Sequence, residues 1–240
     1  SDVCSSDLLM GIACVLHEAG VSWTIASGNY DAINYGLFYS DEVLEKVLQK
    51  MAQEVRRIKG KKILIGECGH ASRSAKVFLP SFNESEEIPV INILELTAQL
   101  IKDGKIEIDE NAITEKVTYH DPCNISRSGW IVDQPRDIIK NFIKDFVEMT
   151  PSGRYNLCCG GGGGTVSINE LKPYRMNTGG KRKAEQLKAT GADVVIAPCA
   201  NCKKQIGELI AHYKLPMRHA GLHDLLFTAI KMKKQVVSNE

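Results

Sequence analysis

The chain has 240 residues, enough for one large domain or two small ones around a sizeable hydrophobic core. Thirty basic residues against 29 acidic ones leave a formal charge of +1, which argues against a nucleic-acid binder working by bulk charge. The apolar fraction of 43% is that of a globular protein, and no window approaches the ~18 consecutive apolar residues of a membrane span.

Residues 1–8 fit no capping or strand pattern and read like translated sequencing-adapter sequence, so they are expected to be non-native and Cys4 is not counted toward a site. Cys14 follows in an apolar helical run, Ile12 to Leu16, as a small core residue. Beyond it, short β-rich runs alternate with amphipathic helices. Strands are predicted at 22–26, 63–66, 89–93, 117–120, 146–149 and 194–197. The strongest helix is predicted over 41–59, with an apolar stripe from Val43 to Ile58, Ser40 as N-cap and two acids in its first turn. Ile138, Ile139, Phe142, Ile143 and Phe146 form a shorter stripe, and helices are predicted at 94–102 and 222–231. Strands separated by helices mean βαβ units with mainly parallel sheets, an α/β fold of Rossmann-like type.

The elements repeat. Ile63–Cys68 aligns with Val194–Cys199 at an offset of 131 residues, and Thr24–Gly28 with Asn156–Gly160 at 132. Two matches at nearly one offset suggest a duplicated α/β unit: a degenerate first repeat over 9–110 and a second over 111–240. The same offset puts the partner of Cys123 before residue 1, so the first repeat is expected to be N-terminally truncated. Where the second half has Cys158-Cys159 the first has Ala26-Ser27, and Cys199-x-x-Cys202 faces Cys68-x-x-Ala71. Any cysteine site therefore belongs to the second half.

Cysteine is the unusual part of the composition, with eight residues. The first residues carry no basic segment followed by an apolar one, and the Lys/Glu-rich helical texture disfavours a disulfide scaffold. Five cysteines, Cys123, Cys158, Cys159, Cys199 and Cys202, fall where strands or loops meet helices, at what should be the C-terminal edge of a parallel sheet. Thiolates select zinc and iron–sulfur clusters. Zinc closes at four ligands, usually as two short-spaced pairs, and only one CxxC is present, so a fifth cysteine points to several irons. Gly160 to Gly164 supply the freedom to aim adjacent cysteines at one point, and Gly160, Gly161 and Gly162 let backbone N–H groups approach the sulfurs. A thioredoxin-like CxxC competes but leaves three cysteines unexplained. A phosphate loop lacks its Lys-Ser/Thr ending.

The order Cys123…Cys158-Cys159-Gly160…Cys199-x-x-Cys202, with His120-Asp121-Pro122-Cys123 before it, resembles the cysteine-rich CCG domain of heterodisulfide reductase catalytic subunits. Related proteins are the iron–sulfur subunits of glycolate oxidase, anaerobic glycerol-3-phosphate dehydrogenase and lactate utilisation. Together with Glu67-Cys68-Gly69-His70, the pattern looks most like heterodisulfide-reductase-like subunits of electron-transfer complexes such as those of sulfate reducers. The resemblance implies a non-cubane [4Fe-4S] cluster on the five cysteines and no second one in the first repeat. It also implies further [4Fe-4S] clusters in a segment upstream of this chain, partner subunits in a complex that can be membrane-bound, and a cytoplasmic setting, free or peripheral to the inner face of the membrane. The implied activity is that of an iron–sulfur oxidoreductase subunit that delivers electrons to a disulfide-type substrate, with no nucleic-acid partner. The competing activity is an electron relay from a flavin dehydrogenase to the quinone pool, and a zinc-binding module is a third reading.

Three further residues are candidate catalytic groups. His120 is placed to hydrogen-bond a ligand sulfur or pass protons, against a structural role with Asp121 at a strand end. Cys68 and His70 occupy the first half's counterpart of the CxxC loop and would line a substrate pocket if the halves face each other. Arg127 either screens the cluster's charge or is a solvated helix-end residue.

Overall fold

The computed structural model describes residues 6–30, 36–82 and 87–233. The first half runs α1 (Ser6–Glu18), α2 (Gly36–Tyr39), α3 (Asp41–Arg57), β1 (Ile63–Ile65), α4 (Gly69–Arg73), a π-turn, α5 (Leu79–Phe82), β2 (Val90–Asn92) and α6 (Ile93–Lys102). The second continues with β3 (Val117–Tyr119), α7 (Cys123–Ser126), α8 (Asp133–Ile139), β4 (Phe146–Val147), α9 (Lys172–Asn177), α10 (Gly179–Thr190), β5 (Val194–Ile196), α11 (Ala200–Tyr213), β6 (Arg218–Ala220) and α12 (Leu222–Ala229). Every paired strand is parallel: β1 lies against β2, and the larger sheet has the order β4-β3-β5-β6. The fold is mixed α/β of Rossmann-like type.

Local chemistry explains the best-predicted elements. The Ser40 hydroxyl accepts the Val43 N–H at 3.3 Å, Asp41 and Glu42 occupy the positive end of α3, and Leu44, Leu48, Met51, Ala52 and Val55 form its buried face. The helix stops at Arg57, two residues before the expected end, because Lys59 turns left-handed and Gly60 N–H closes on Val55 C=O at 2.8 Å. Val43 stays 40% exposed, outside the stripe assigned to it. At α6, Asn92 and Glu95 form a reciprocal capping box.

Three expectations need correction. Residues 22–26 are not a strand: among the described residues no strand pairs with them, and Trp23 and Ile25 are exposed, so their β-propensity has no surface to act on. The stripe ending at Phe146 divides, because α8 ends at Ile139, Phe142 and Ile143 bury themselves in the following turn, and Phe146 opens β4. β6 was not expected, since Arg218-His219-Ala220 lacks β-formers; it forms as an edge strand paired to β5. The first five residues, with Cys4, lie outside the described residues, while α1 begins at Ser6 inside the segment set aside.

The halves share one core. Cys14 and Val15 of α1 and Leu94 and Leu100 of α6 pack with Val117, Tyr119, Ile138, Phe142, Val194, Ile196, Leu222 and Leu226. Cys14 is a buried core residue, and desolvation, with Glu18 nearby, raises its thiol pKa. A second core lies between α3 and β1. A third lies beneath the cysteines: Met149, Ala184, Leu187, Val195, Ala197 and Ile206 pack with Cys159, Cys199 and Cys202.

α1 crosses the start of α12 so closely that a Cβ at Gly11 would stand 2.3 Å from the His223 carbonyl oxygen. Mid-helix alanine ordinarily gains up to ~1 kcal/mol over glycine. Here Gly11→Ala is expected to cost about 1–3 kcal/mol instead, as overpacking does. Urea denaturation checks the sign, and an alanine variant as stable as the parent would mean that the two helices separate at no cost.

Candidate metal centre

In the larger sheet the strand order reverses between β3 and β5, which pair in register from Val117↔Val194 to Tyr119↔Ile196. The chain leaves both strands at the same carboxyl edge, the place where open α/β sheets put ligands. From β3 it passes His120, Asp121 and Pro122 to Cys123, the first residue of α7. From β5 it passes Ala197 and Pro198 to Cys199, the N-cap of α11, and Cys202 lies in that helix's first turn. Cys158 and Cys159 arrive on the long segment after β4. Gly160 turns there with φ +85°, and Gly161 lies so near α11 that a Cβ would stand 2.8 Å from the Gln205 Cβ.

The structure brings all five predicted cysteines together. Their thiols contact one another in the sequence Cys123, Cys158, Cys159, Cys202, Cys199, with 3.3 Å between the Cys159 and Cys202 sulfurs. Gly160 N–H donates to the Cys158 sulfur at 3.3 Å and Gly161 N–H to the Cys159 sulfur at 3.5 Å. Gly162 instead faces the His70 ring, 3.5 Å from its Nε2 for a Cβ placed there. Cys159, Cys199 and Cys202 are buried, Cys123 is half-buried and Cys158 is exposed, so the group opens to solvent at one end.

These contacts sort the thiols by acidity. Cys158 accepts from Cys123 and Cys159, which lowers its pKa far below the ordinary thiol value against the cost of burial. Cys199 is lowered to about 7, first by Cys202 and then by the backbone N–H groups of Gly69, Cys202 and Asn201. Their donors move the other way: Cys123 and Cys202 are raised, and Cys159 is pushed up to about 12 by its bond to Cys158. The five act as one coupled set.

His120 is buried against this set. One ring nitrogen and the Cys159 and Cys202 sulfurs lie within 4.8 Å of one another, and among the described residues neither ring nitrogen has a hydrogen-bond partner. An unpaired buried imidazole is costly, and this one sits where sulfur acceptors converge. Five sulfurs exceed the four ligands of zinc, and backbone N–H groups directed at them are the surroundings of iron–sulfur centres. The residues present fit a cluster of several irons.

Of the other predicted residues, Asp121 is structural. Its carboxylate takes both Arg136 guanidinium nitrogens at 2.9 Å and the Gly153 N–H at 2.7 Å, and this pairing raises the Arg136 pKa against its burial. Arg127 is held on Asn156, at 2.7 Å from the side-chain oxygen and 3.0 Å from the carbonyl.

Cys68 and His70 lie on the first half's counterpart loop, and that loop touches the second half's. Cys68 caps α4 as Cys199 caps α11, with its sulfur accepting Ala71 N–H at 3.5 Å. His70 Nδ1 meets Asn201 Nδ2 at 3.1 Å, and 70 and 201 are separated by the repeat offset of 131. Ala200 N–H donates to Glu67 C=O at 3.2 Å, while Gly69 N–H faces the Cys199 sulfur. With the Asn201 amide donating, the His70 proton resides on Nε2. Burial lowers the His70 pKa, and the Cys158 thiolate partly offsets this.

Sequence reasoning missed Lys183 and Glu67. Lys183 is fully buried on α10 and interacts electrostatically with Cys159, Cys202 and Cys158. Its signal was the stripe Gly180, Lys183, Ala184, Leu187, which helical spacing places on one buried face. The Glu67 carboxylate is fully buried and accepts from the backbone of Leu222 and His223 and from the His223 ring. No local pattern marks a partner 156 residues away.

Fold and site thus define an α/β protein with a thiolate-rich centre at the switch point of a parallel sheet. Residues 117–207 match the family model of the cysteine-rich domain CCG. It is 28% identical over 235 residues to the Hdr-like menaquinol oxidoreductase iron-sulfur subunit of Archaeoglobus profundus, covering 82% of this chain and 42% of that protein. It is 30% identical over 207 residues to one of the subunits of the dihydromethanophenazine:CoB–CoM heterodisulfide reductase of Methanosarcina mazei, covering 83% and 49%. It is 26% identical over 199 residues to the EtfAB:quinone oxidoreductase of Syntrophomonas wolfei, covering 81% and 28%. The chain spans less than half the length of each of these relatives. Among the described residues no helix is long and apolar enough to cross a membrane.

Proposed function

We propose that this chain is part of an iron–sulfur oxidoreductase subunit in which Cys123, Cys158, Cys159, Cys199 and Cys202 hold a non-cubane [4Fe-4S] cluster. The observation that carries this reading is the unbroken contact of five sulfurs at one sheet edge, with backbone N–H groups directed at three of them. The second repeat, 111–240, carries the site. The first, 9–110, keeps only Cys68 at an equivalent position and holds no cluster of its own.

The substrate in this reading is a disulfide, whose cleavage to two thiols takes two electrons and two protons. The cluster, when bound, supplies one-electron transfers to it. Cys158 and Cys123 leave that end of the centre accessible, whereas Cys159, Cys199 and Cys202 are shielded by the core. His70 holds a proton on Nε2 beside Gly162, suited to protonating a released thiolate, and Cys68 lies two residues away on the same loop. The His120 ring lies beside the buried Cys159 and Cys202 sulfurs, where its N–H would stabilise negative charge on a bound cluster. Electrons come from a partner subunit, or from further [4Fe-4S] clusters in a longer chain, and the setting is cytoplasmic or peripheral to the membrane. The relatives named for menaquinol and quinone favour a second reading, a relay between a flavin dehydrogenase and the quinone pool.

Anaerobic reconstitution followed by iron, sulfide and zinc analysis and EPR of the oxidised state tests the proposal. About four irons and four sulfides per chain are expected. About one zinc with no sulfide would overturn it.

A further inference from the structure

Lys183 is 0% exposed, yet among the described residues its ammonium has only neutral hydrogen-bond partners. Its ammonium reaches the Gln186 side-chain oxygen and the Met149 sulfur at 3.8 Å, both neutral. The acid that acts on it, Asp121, has both oxygens committed to Arg136. A lysine buried among neutral partners costs several kcal/mol and persists where negative charge nearby offsets it. Here that charge is the cysteine group: Met149, which the ammonium touches, packs in one core with Cys159, Cys199 and Cys202, and negative charge on the cysteines favours the ammonium form. Desolvation lowers the Lys183 pKa to about 8, and negative charge on the cysteine group opposes that shift. The helix carrying it is wedged beside the centre: the backbone of Gly180, one turn earlier, lies so close to α11 that a Cβ there would be 2.7 Å from Leu209.

We propose that the Lys183 ammonium is the buried counter-charge of the five-thiolate centre and raises the reduction potential of the cluster held there. The inference rests on the cluster reading above. An added electron makes the centre more negative, and a fixed positive charge in a low-dielectric site favours that state over the oxidised one. Lys183 is thus a tuning residue that touches no substrate.

The test is an EPR-monitored redox titration of the full-length, cluster-loaded protein, with iron and sulfide measured on every sample. Lys183→Met and Lys183→Gln are expected to lower the reduced-to-oxidised ratio at a fixed potential by about tenfold, ~59 mV for a one-electron couple. Lys183→Arg is expected to stay near the parent. Met and Gln variants that fold, judged by circular dichroism, but lose iron that Lys183→Arg retains would support the same role. Unchanged potentials in both neutral variants at parental iron content would overturn it, as would an equal shift in Lys183→Arg, which would trace the effect to packing. Zinc without sulfide in the parent would instead remove the cluster reading itself, and is recognised before any potential is measured.

Discussion

Cys159→Ser is expected to leave the chain folded and without its cluster. Cys159 is the middle of the sulfur series: it contacts Cys158 on one side and lies 3.3 Å from Cys202 on the other, and it is buried. Serine is shorter and a poor ligand for soft metals, so both neighbours lose their link at once. Changes that merely perturb the groups supporting a ligand lower metal affinity by about 10–100-fold, and loss of a ligand should exceed that. Iron and sulfide should fall to background and the EPR signal should vanish. Two controls keep the reading specific. Cys14→Ser lies in the core shared by the two halves, and Cys68→Ser caps α4, so both should retain parental iron and EPR signal. Parental iron in Cys159→Ser, or iron lost from Cys14→Ser, would show the ligand set to be wrong.

The second large effect falls on stability. The Glu67 carboxylate accepts the N–H of His223 at 2.8 Å and of Leu222 at 3.2 Å, and meets the His223 ring Nδ1 at 2.6 Å. The far ring nitrogen of His223 meets the Thr97 hydroxyl at 2.8 Å, so one acid ties the end of β1, α6 and the start of α12 together. Glu67→Ala leaves a buried imidazole and two backbone donors without their acceptor. The expected loss is about 3–5 kcal/mol, the usual cost of breaking a buried pair. For a chain of this size that lowers Tm by roughly 10 °C. Glu67→Gln keeps one acceptor oxygen and should lose less than half as much. Chemical denaturation of the three proteins decides it, and an alanine variant within ~1 kcal/mol of the parent would mean that water replaces the carboxylate. The same loop presents Gly69 N–H to Cys199, so the alanine variant should also bind iron less firmly.

The chain shows where sequence reasoning has force. Ser40, Asp41 and Glu42 mark the start of α3 because capping and dipole effects act within one turn, and the structure keeps that boundary. Val117, Val194 and Ile63 open buried parallel strands because runs of β-branched residues between helices have few other places to go. Residues 22–26 have the same composition without a partner strand, and Arg218–Ala220 have a partner without the composition. Pairing decided both, and pairing is a property of the sheet.

At the centre, the sequence alone picked out the residues that meet: cysteine spacing separates from the eight the five whose thiols the structure brings together, and Gly160 and Gly161 accompany them because the backbone must turn and approach there. Tertiary structure alone decided what surrounds that set. Lys183, His120 and Asp121 are all polar residues beside or within buried runs, and no local signal separates the one that salt-bridges Arg136 from the two that face sulfur. The reason is physical: a donor set is written in covalent spacing, whereas charge, burial and a missing hydrogen-bond partner are fixed only when distant segments pack and exclude water.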